Sequence, residues 1–295
     1  MAKNILLLHN PGAGHGQHTK EQLINIIEKA GHYCSYASVK EEGWKDIPSG
    51  TEWIVVAGGD GTVKKIIHHL HEMPGRKKYP VGLIPLGTAN NIADTLEISK
   101  IIPDLVKNWG KNFTAFDTGF IKYGNKKLLF GEGIGFGLFP DHIRYMSKQK
   151  SGPKSPEERL INDKNILLES AKSYKPFAVE LQIDGKIYKG KYLMVEVLNI
   201  RSIGPNIMLS PDADPGDGLL EIILVGEKER QRLVHYLSEK LNGNETRLQL
   251  DTIPVKRMAM LSTNNSLHVD DEIQDMGEHS FVSVKINKKQ LQFLT

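Results

Sequence analysis

Three short apolar runs each end in a glycine-bearing loop: HNPGAG at His9–Gly14, AGGDGT at Ala57–Thr62 and PLGTANN at Pro85–Asn91. In the middle one, Trp53 to Ala57 read as a buried strand, and Val63, Ile66, Ile67 and Leu70 recur at the spacing of one helix face. Gly58, Gly59, Asp60 and Gly61 therefore occupy a strand-to-helix turn. The opening amides of such a helix lack intrahelical partners, and a residue without Cβ lets another molecule approach the backbone closely. An anion suits that place. Asp60 adds a condition: the amides favour its carboxylate, but it repels a phosphate unless a divalent cation lies between them. A nucleotide with magnesium meets both requirements. A plain tight turn capped by Thr62 uses the same residues, and spacing alone leaves that reading open. Two familiar phosphate binders are excluded. No Gly-x4-Gly-Lys-Ser/Thr string occurs, and the dinucleotide fingerprint fails in GEGIGFG at Phe136 and in GGDGT at Asp60.

The elements that must hold these loops alternate over the first ~120 residues, the pattern of a parallel sheet with helices on its faces. Asn4–Leu8, His32–Val39, Trp53–Ala57 and Val81–Pro85 are the expected strands. Leu23, Ile26, Ile27 and Ala30 mark one helix face, ended by Gly31. A helix after PLGT would carry Ile92, Ala93 and Leu96 inward, with Thr88 as its cap. In an open parallel sheet the carboxyl ends of the strands lie on one edge, where ligands bind. From about Thr118 the rhythm turns β-rich. FAVELQIDGKIYKGKYLMVEVLNI reads as a hairpin turning at Asp184-Gly185, and EKERQRLVHYLSEKLNG is one helix among strands, its Leu233, Val234, Leu237 and Leu241 stripe belonging to the core. The expected domains are 1–118, completed by 283–295, and 119–282.

A formal charge of +3 is too small to argue for nucleic acid, although it allows a local basic patch. RYMSKQKSGPKSPEER, 144–159, reads as a polar surface loop; Arg144, Lys148, Lys150 and Lys154 also suit contact with an anionic membrane. Cys34 is the single cysteine, the N-terminal apolar run is too short for a signal peptide, and no run of about 18 apolar residues occurs. A cytoplasmic protein that meets any membrane from outside is expected. His68, His69 and His71 lie on the polar side of their helix without a neighbouring carboxylate or cysteine cluster, so a metal site is not expected there. Gly133, Gly135 and Gly137 leave room either for an acyl chain or for a tight strand.

Taken in order and at these distances, NPGAG, AGGDGT and PLGTANN resemble the diacylglycerol kinase catalytic superfamily, in particular its soluble bacterial lipid kinases of the diacylglycerol and sphingosine kinase type. PDADPGDGLLEI, Pro211–Ile222, and HVDDEI, His268–Ile273, are similar to that family's later segments. The resemblance implies an N-terminal α/β nucleotide-binding domain, a C-terminal β-sandwich domain and an active site in the cleft between them. It implies an ATP- and Mg2+-dependent kinase acting on a hydroxyl of a diacylglycerol-like lipid presented at a membrane surface. Carried over by position, Asn10, Gly58, Gly59, Asp60, Gly61, Thr62, Gly87 and Thr88 would hold the phosphates and Asp60 the magnesium; Glu272 would be the general base, and Asp217 would hold a structural magnesium. Asp117 would face the same cleft. Asn91 stands where the family often has Asp, Asp94 near a frequent Arg, and Asp271 in place of a Gly. The alternatives are a kinase of a soluble acceptor such as NAD, since GGDGT occurs in NAD kinases, and a binding protein that has lost turnover.

Overall fold

The computed structural model describes residues 1–73, 78–149, 155–264, 266–277 and 281–295. The chain divides into two compact units, Met1–Phe116 with Lys289–Thr295, and Asp117–Lys288.

The first unit is built on β1 (Asn4–His9), α1 (Lys20–Lys29), β2 (Tyr33–Ser38), β3 (Trp53–Gly58), α2 (Asp60–Glu72), β4 (Pro80–Pro85), α3 (Asn91–Thr95) and α4 (Ile102–Asn108). β2, β1, β3 and β4 lie side by side and parallel, and the chain's terminal strand adds to β4 through Gln292↔Pro80 and Phe293↔Val81. Ile54, Val55, Val56 and Ala57 are fully buried, which is why β3 reads as an unbroken apolar run instead of an alternating one. His9 is in register with Ala57, and Gly58 with Pro85, so all three glycine loops leave one edge of the sheet. α1 is opened by a capping box in which Thr19 and Gln22 satisfy each other's backbone amides.

The second unit is a β-sandwich-like domain with helices against it. Its elements are β5 (Phe113–Tyr123, entering from the first unit), β6 (Lys126–Phe130), β7 (Gly133–Gly137), α5 (Leu138–Ser147), α6 (Pro156–Ser173), β8 (Phe177–Ile183), β9 (Lys186–Leu198), the ribbon β10 (Ser202–Ile203) and β11 (Ile207–Met208), β12 (Leu220–Gly226), α7 (Arg230–Leu241), β13 (Thr252–Val255), β14 (Arg257–Ser262), β15 (Ser266–Val269), β16 (Glu272–Asp275) and β17 (Phe281–Leu294). The antiparallel order is β16-β15-β7-β9-β8-β14-β17, with β12 also on β9 and β13 on β12. Asp184 and Gly185 both take positive φ in the two-residue turn that joins Ile183 to Lys186, as its Asp-Gly sequence requires. Strand β9 shows how the unit is layered. Val195 and Val197 pack into one apolar cluster, whereas Met194 and Leu198 join Leu167, Leu233 and Leu237 beneath the helices.

One expectation is corrected. The polar stretch 144–159 is not one loop, because α5 runs to Ser147 and α6 begins at Pro156. Ser155 and Glu158 form a capping box with proline in the first turn, a start signal carried by the sequence itself. Lys150 and Lys154 lie outside the described residues. Among the described residues, no helix is long and apolar enough to cross a membrane.

Candidate active site

At the edge of the first unit's sheet, α2 starts directly at Asp60 with Gly59 as its N-cap, a residue that brings no side chain to the first amides. The glycines around this point have different physical reasons. A Cβ on Gly58 would lie 2.6 Å from the Thr62 side chain; one on Gly59 would meet Cα of Gly87 at 2.8 Å, and one on Gly87 would meet Cα of Gly59 at 2.4 Å. The AGGDGT and PLGT loops thus pack backbone against backbone. Gly61 is the exception: it stands in the first turn of α2, is exposed, and a Cβ there meets nothing within 4 Å. A glycine inside a helix costs up to ~0.5–1 kcal/mol relative to alanine, and no packing requirement accounts for this one.

Asp60 turns toward the neighbouring loop. Its two carboxylate oxygens accept the amides of Asn91 (3.0 Å) and Ile92 (3.1 Å), which open α3. This corrects the assignment of Thr88 as cap: the cap of α3 is supplied from 31 residues away, and Thr88 is exposed on the loop. Asn90, at φ 58°, closes the loop on itself, its side chain accepting from Gly87 N (2.8 Å) and donating to Gly87 O (2.7 Å). Asn10 braces the opposite side, accepting from Gly12 N and donating to Oγ1 of the buried Thr62 (3.2 Å). Asp94 forms an ion pair with Lys100 (3.0 Å). Asn10, Gly58–Thr62, Gly87 and Thr88 therefore form one connected edge within the first unit.

The second unit gathers the other acids. Asp117 is fully buried and serves the PDADPGDG loop: its amide donates to Pro215 O (2.5 Å) and its carboxylate accepts from Gly218 N (2.7 Å). Asp217 lies exposed on that loop, accepting from Leu219 N (2.8 Å). Among the described residues, no group of three or more His, Cys, Asp or Glu side chains is gathered as a metal site. Glu272 is exposed at the start of β16, just after the two-residue Asp270-Asp271 turn that joins it to Val269.

That turn is anchored by residues the sequence reading passed over. Asp270, buried and at φ 51°, accepts the amides of Gly131 (3.2 Å), Glu132 (2.8 Å) and Gly133 (3.1 Å) on Oδ1. Its carbonyl accepts from His268 Nδ1 (2.6 Å), and His268 Nε2 meets Glu196 Oε2 at 2.7 Å with both side chains enclosed. Burial pushes the Glu196 carboxyl up, against the pull of His268. Burial alone would lower the His268 pKa, but attraction and hydrogen bonding to Glu196 and the bond to Asp270 outweigh it, so the net direction is up. One proton held between Oε2 and Nε2 satisfies both tendencies. Since a carbonyl only accepts, Nδ1 keeps its own proton in either arrangement.

The GEGIGFG glycines belong to this packing. A Cβ on Gly135 would fall 2.0 Å from the Glu196 carboxylate, one on Gly133 2.6 Å from Leu198, and one on Gly137, at φ 91°, 2.3 Å from Phe177. The tight-strand reading holds, and side chains already fill the space these glycines leave.

The family model of the diacylglycerol kinase catalytic domain matches residues 4–121, and that of the YegS C-terminal NAD kinase beta sandwich-like domain matches 161–280. The first of these stretches is a diacylglycerol kinase catalytic domain. Curated relatives named diacylglycerol kinase include one from Staphylococcus aureus strain bovine RF122 / ET3-1, 26% identical over 84% of this chain and 78% of its own length. One from Staphylococcus saprophyticus is 24% identical over 97% of this chain and 94% of its own. A solved structure of a putative diacylglycerol kinase from Bacillus anthracis str. Sterne has the same fold, with a TM-score of 0.71 at 22% identity over 99% of this chain and 98% of that one. Within the superfamily match lie all three glycine loops. The anchoring Asp270 and its Glu196–His268 support fall in the region of the second family model.

Proposed function

We propose that this chain is a lipid kinase that uses ATP and Mg2+ to phosphorylate a hydroxyl of a diacylglycerol-like or related lipid. The observation that carries the reading is Gly61: a glycine in the first turn of α2 with open space where its Cβ would stand, next to a glycine N-cap that brings no side chain to the helix start. A nucleotide phosphate fits such a cradle. Asn10, Gly58, Gly59, Gly61 and Thr62 would shape and supply the phosphate-binding backbone, with Gly87 and Thr88 on the adjoining loop. Asp60 would hold magnesium. A carboxylate has about four acceptor sites, so two amide bonds do not by themselves fill it, and magnesium bound to a nucleotide needs only one or two carboxylates. The metal and amides supply charge neutralisation at the transferring phosphoryl group, which is most of what such catalysis requires. Glu272 would take the proton of the acceptor hydroxyl, and Asp217 would order a second, structural magnesium on its loop.

The names of the relatives support a lipid acceptor. The NAD kinase-like description of the C-terminal model supports a second reading, a soluble acceptor such as NAD. Asn91, Asp94 and Asp271, which depart from the superfamily pattern, motivate a third, a nucleotide-binding relative without turnover. Labelled ATP offered with a panel of lipids in vesicles, and in parallel with NAD, decides among them. Label transferred to a lipid is expected; label on NAD alone, or on no acceptor, would displace the lipid-kinase reading. The reading includes work at the cytoplasmic face of a membrane, which vesicle co-sedimentation tests directly.

A further inference from the structure

A groove of about 690 Å³ lies wholly within the second unit, between the β5–β6 hairpin and the strands β8, β14 and β17. Lys122, Lys127, Arg257 and Lys285 line it, and Asp184 is the one carboxylate among its lining residues. The cations are not scattered. Lys122 pairs directly with Lys127 across β5 and β6, and Arg257 directly with Lys285 across β14 and β17. Like charges directly opposite on neighbouring strands destabilise a sheet, and here the arrangement occurs twice around one cavity. Local compensation is slight. Lys127 stacks over the Phe120 ring at 3.7 Å, and among the described residues none of the four cations has a carboxylate within ion-pair distance. Repulsion of this kind is relieved when a multiply charged anion sits among the cations.

We infer that this groove binds a phosphate-bearing anion, through Arg257 and Lys285 on one wall and Lys122 and Lys127 on the other. Arg257 supplies a planar fork for two phosphate oxygens and the lysines supply point charges. The phosphate can come from a free small molecule or from an anionic lipid headgroup, since both present the same chemistry to the groove. This inference stands apart from the assignment of Glu272 and of the α2 cradle, because its readout is binding lost on changing cations that belong to neither.

The test uses the full chain, magnesium-free pyrophosphate in calorimetry, and flotation with phosphatidylglycerol or phosphatidylcholine vesicles. Wild type is compared with R257Q/K285Q, K122Q/K127Q and the charge-retaining R257K/K285R. Wild type is expected to bind pyrophosphate, which identifies a free ligand, or only the phosphatidylglycerol vesicles, which identifies a headgroup. That binding should weaken at least tenfold in both glutamine variants and persist in R257K/K285R. With no anion present, R257Q/K285Q should melt no lower than wild type at low salt, because a repulsive pair has been removed. Equal binding by wild type and the glutamine variants, no binding of either probe by wild type, or a lower melting temperature for unliganded R257Q/K285Q would overturn the inference.

Discussion

Replacing Glu196 with glutamine tests the buried pair behind the Asp270 turn. In the folded protein the pair keeps one proton between Glu196 and His268, and Oε1 of Glu196 has no partner among the described residues. In the unfolded chain the histidine releases its proton above its ordinary value of 6.5. Its raised folded pKa therefore contributes stability that is fully present below pH 6.5 and is lost as pH rises through the folded value. The loss proceeds at on the order of 1 kcal/mol per pH unit. In E196Q the glutamine amide donates to a neutral His268, which still donates through Nδ1 to Asp270, so shape and hydrogen bonds are retained. The linkage then reverses, since folded His268 resists protonation and the variant loses stability as pH falls below 6.5. The stability of wild type minus that of E196Q should accordingly shrink as pH rises between pH 5 and pH 8. Trp44, Trp53 and Trp109 all lie in the first unit, so their fluorescence does not report on this site. Native-state hydrogen exchange of amides in β7, β9 and β15, corrected for intrinsic rates, is the appropriate assay. A difference that stays constant over that range would refute the shared proton.

Three other substitutions separate structure from chemistry. Gly61→Ala should stabilise α2 by about 0.5–1 kcal/mol while weakening ATP binding in calorimetry; unchanged affinity would remove the cradle role. Asp60→Ala should abolish turnover and also cost about 1–2 kcal/mol by uncapping α3, with the protein still folded by circular dichroism; wild-type turnover would count against a magnesium role. Glu272→Gln should retain ATP binding and lower the transfer rate by ~100-fold or more, and a wild-type rate in the labelled-ATP assay would rule it out as base.

Much of the first unit is legible along the chain because its signals are local. An apolar run such as Ile54–Ala57 is read from consecutive residues, α2 from its 3.6-residue period, and the Asp184-Gly185 turn from the positive φ that its residues tolerate. The three loops on one sheet edge follow from parallel topology. Helices α5 and α6 escaped because the polar residues between them masked a capping box that was nonetheless present at Ser155–Glu158. The use of Asp60 on α3, 31 residues away, and of Asp270 on Gly131–Gly133, up to 139 residues away, has no local signature. Hydrogen bonds of that span depend on where the backbone brings an amide, and so does the strand register that sets Arg257 against Lys285. Residue types and spacing alone pointed to a phosphate-binding chemistry for the glycine loops. Which carboxylates are buried as anchors and which stay exposed was decided only when tertiary packing set the burial of each one.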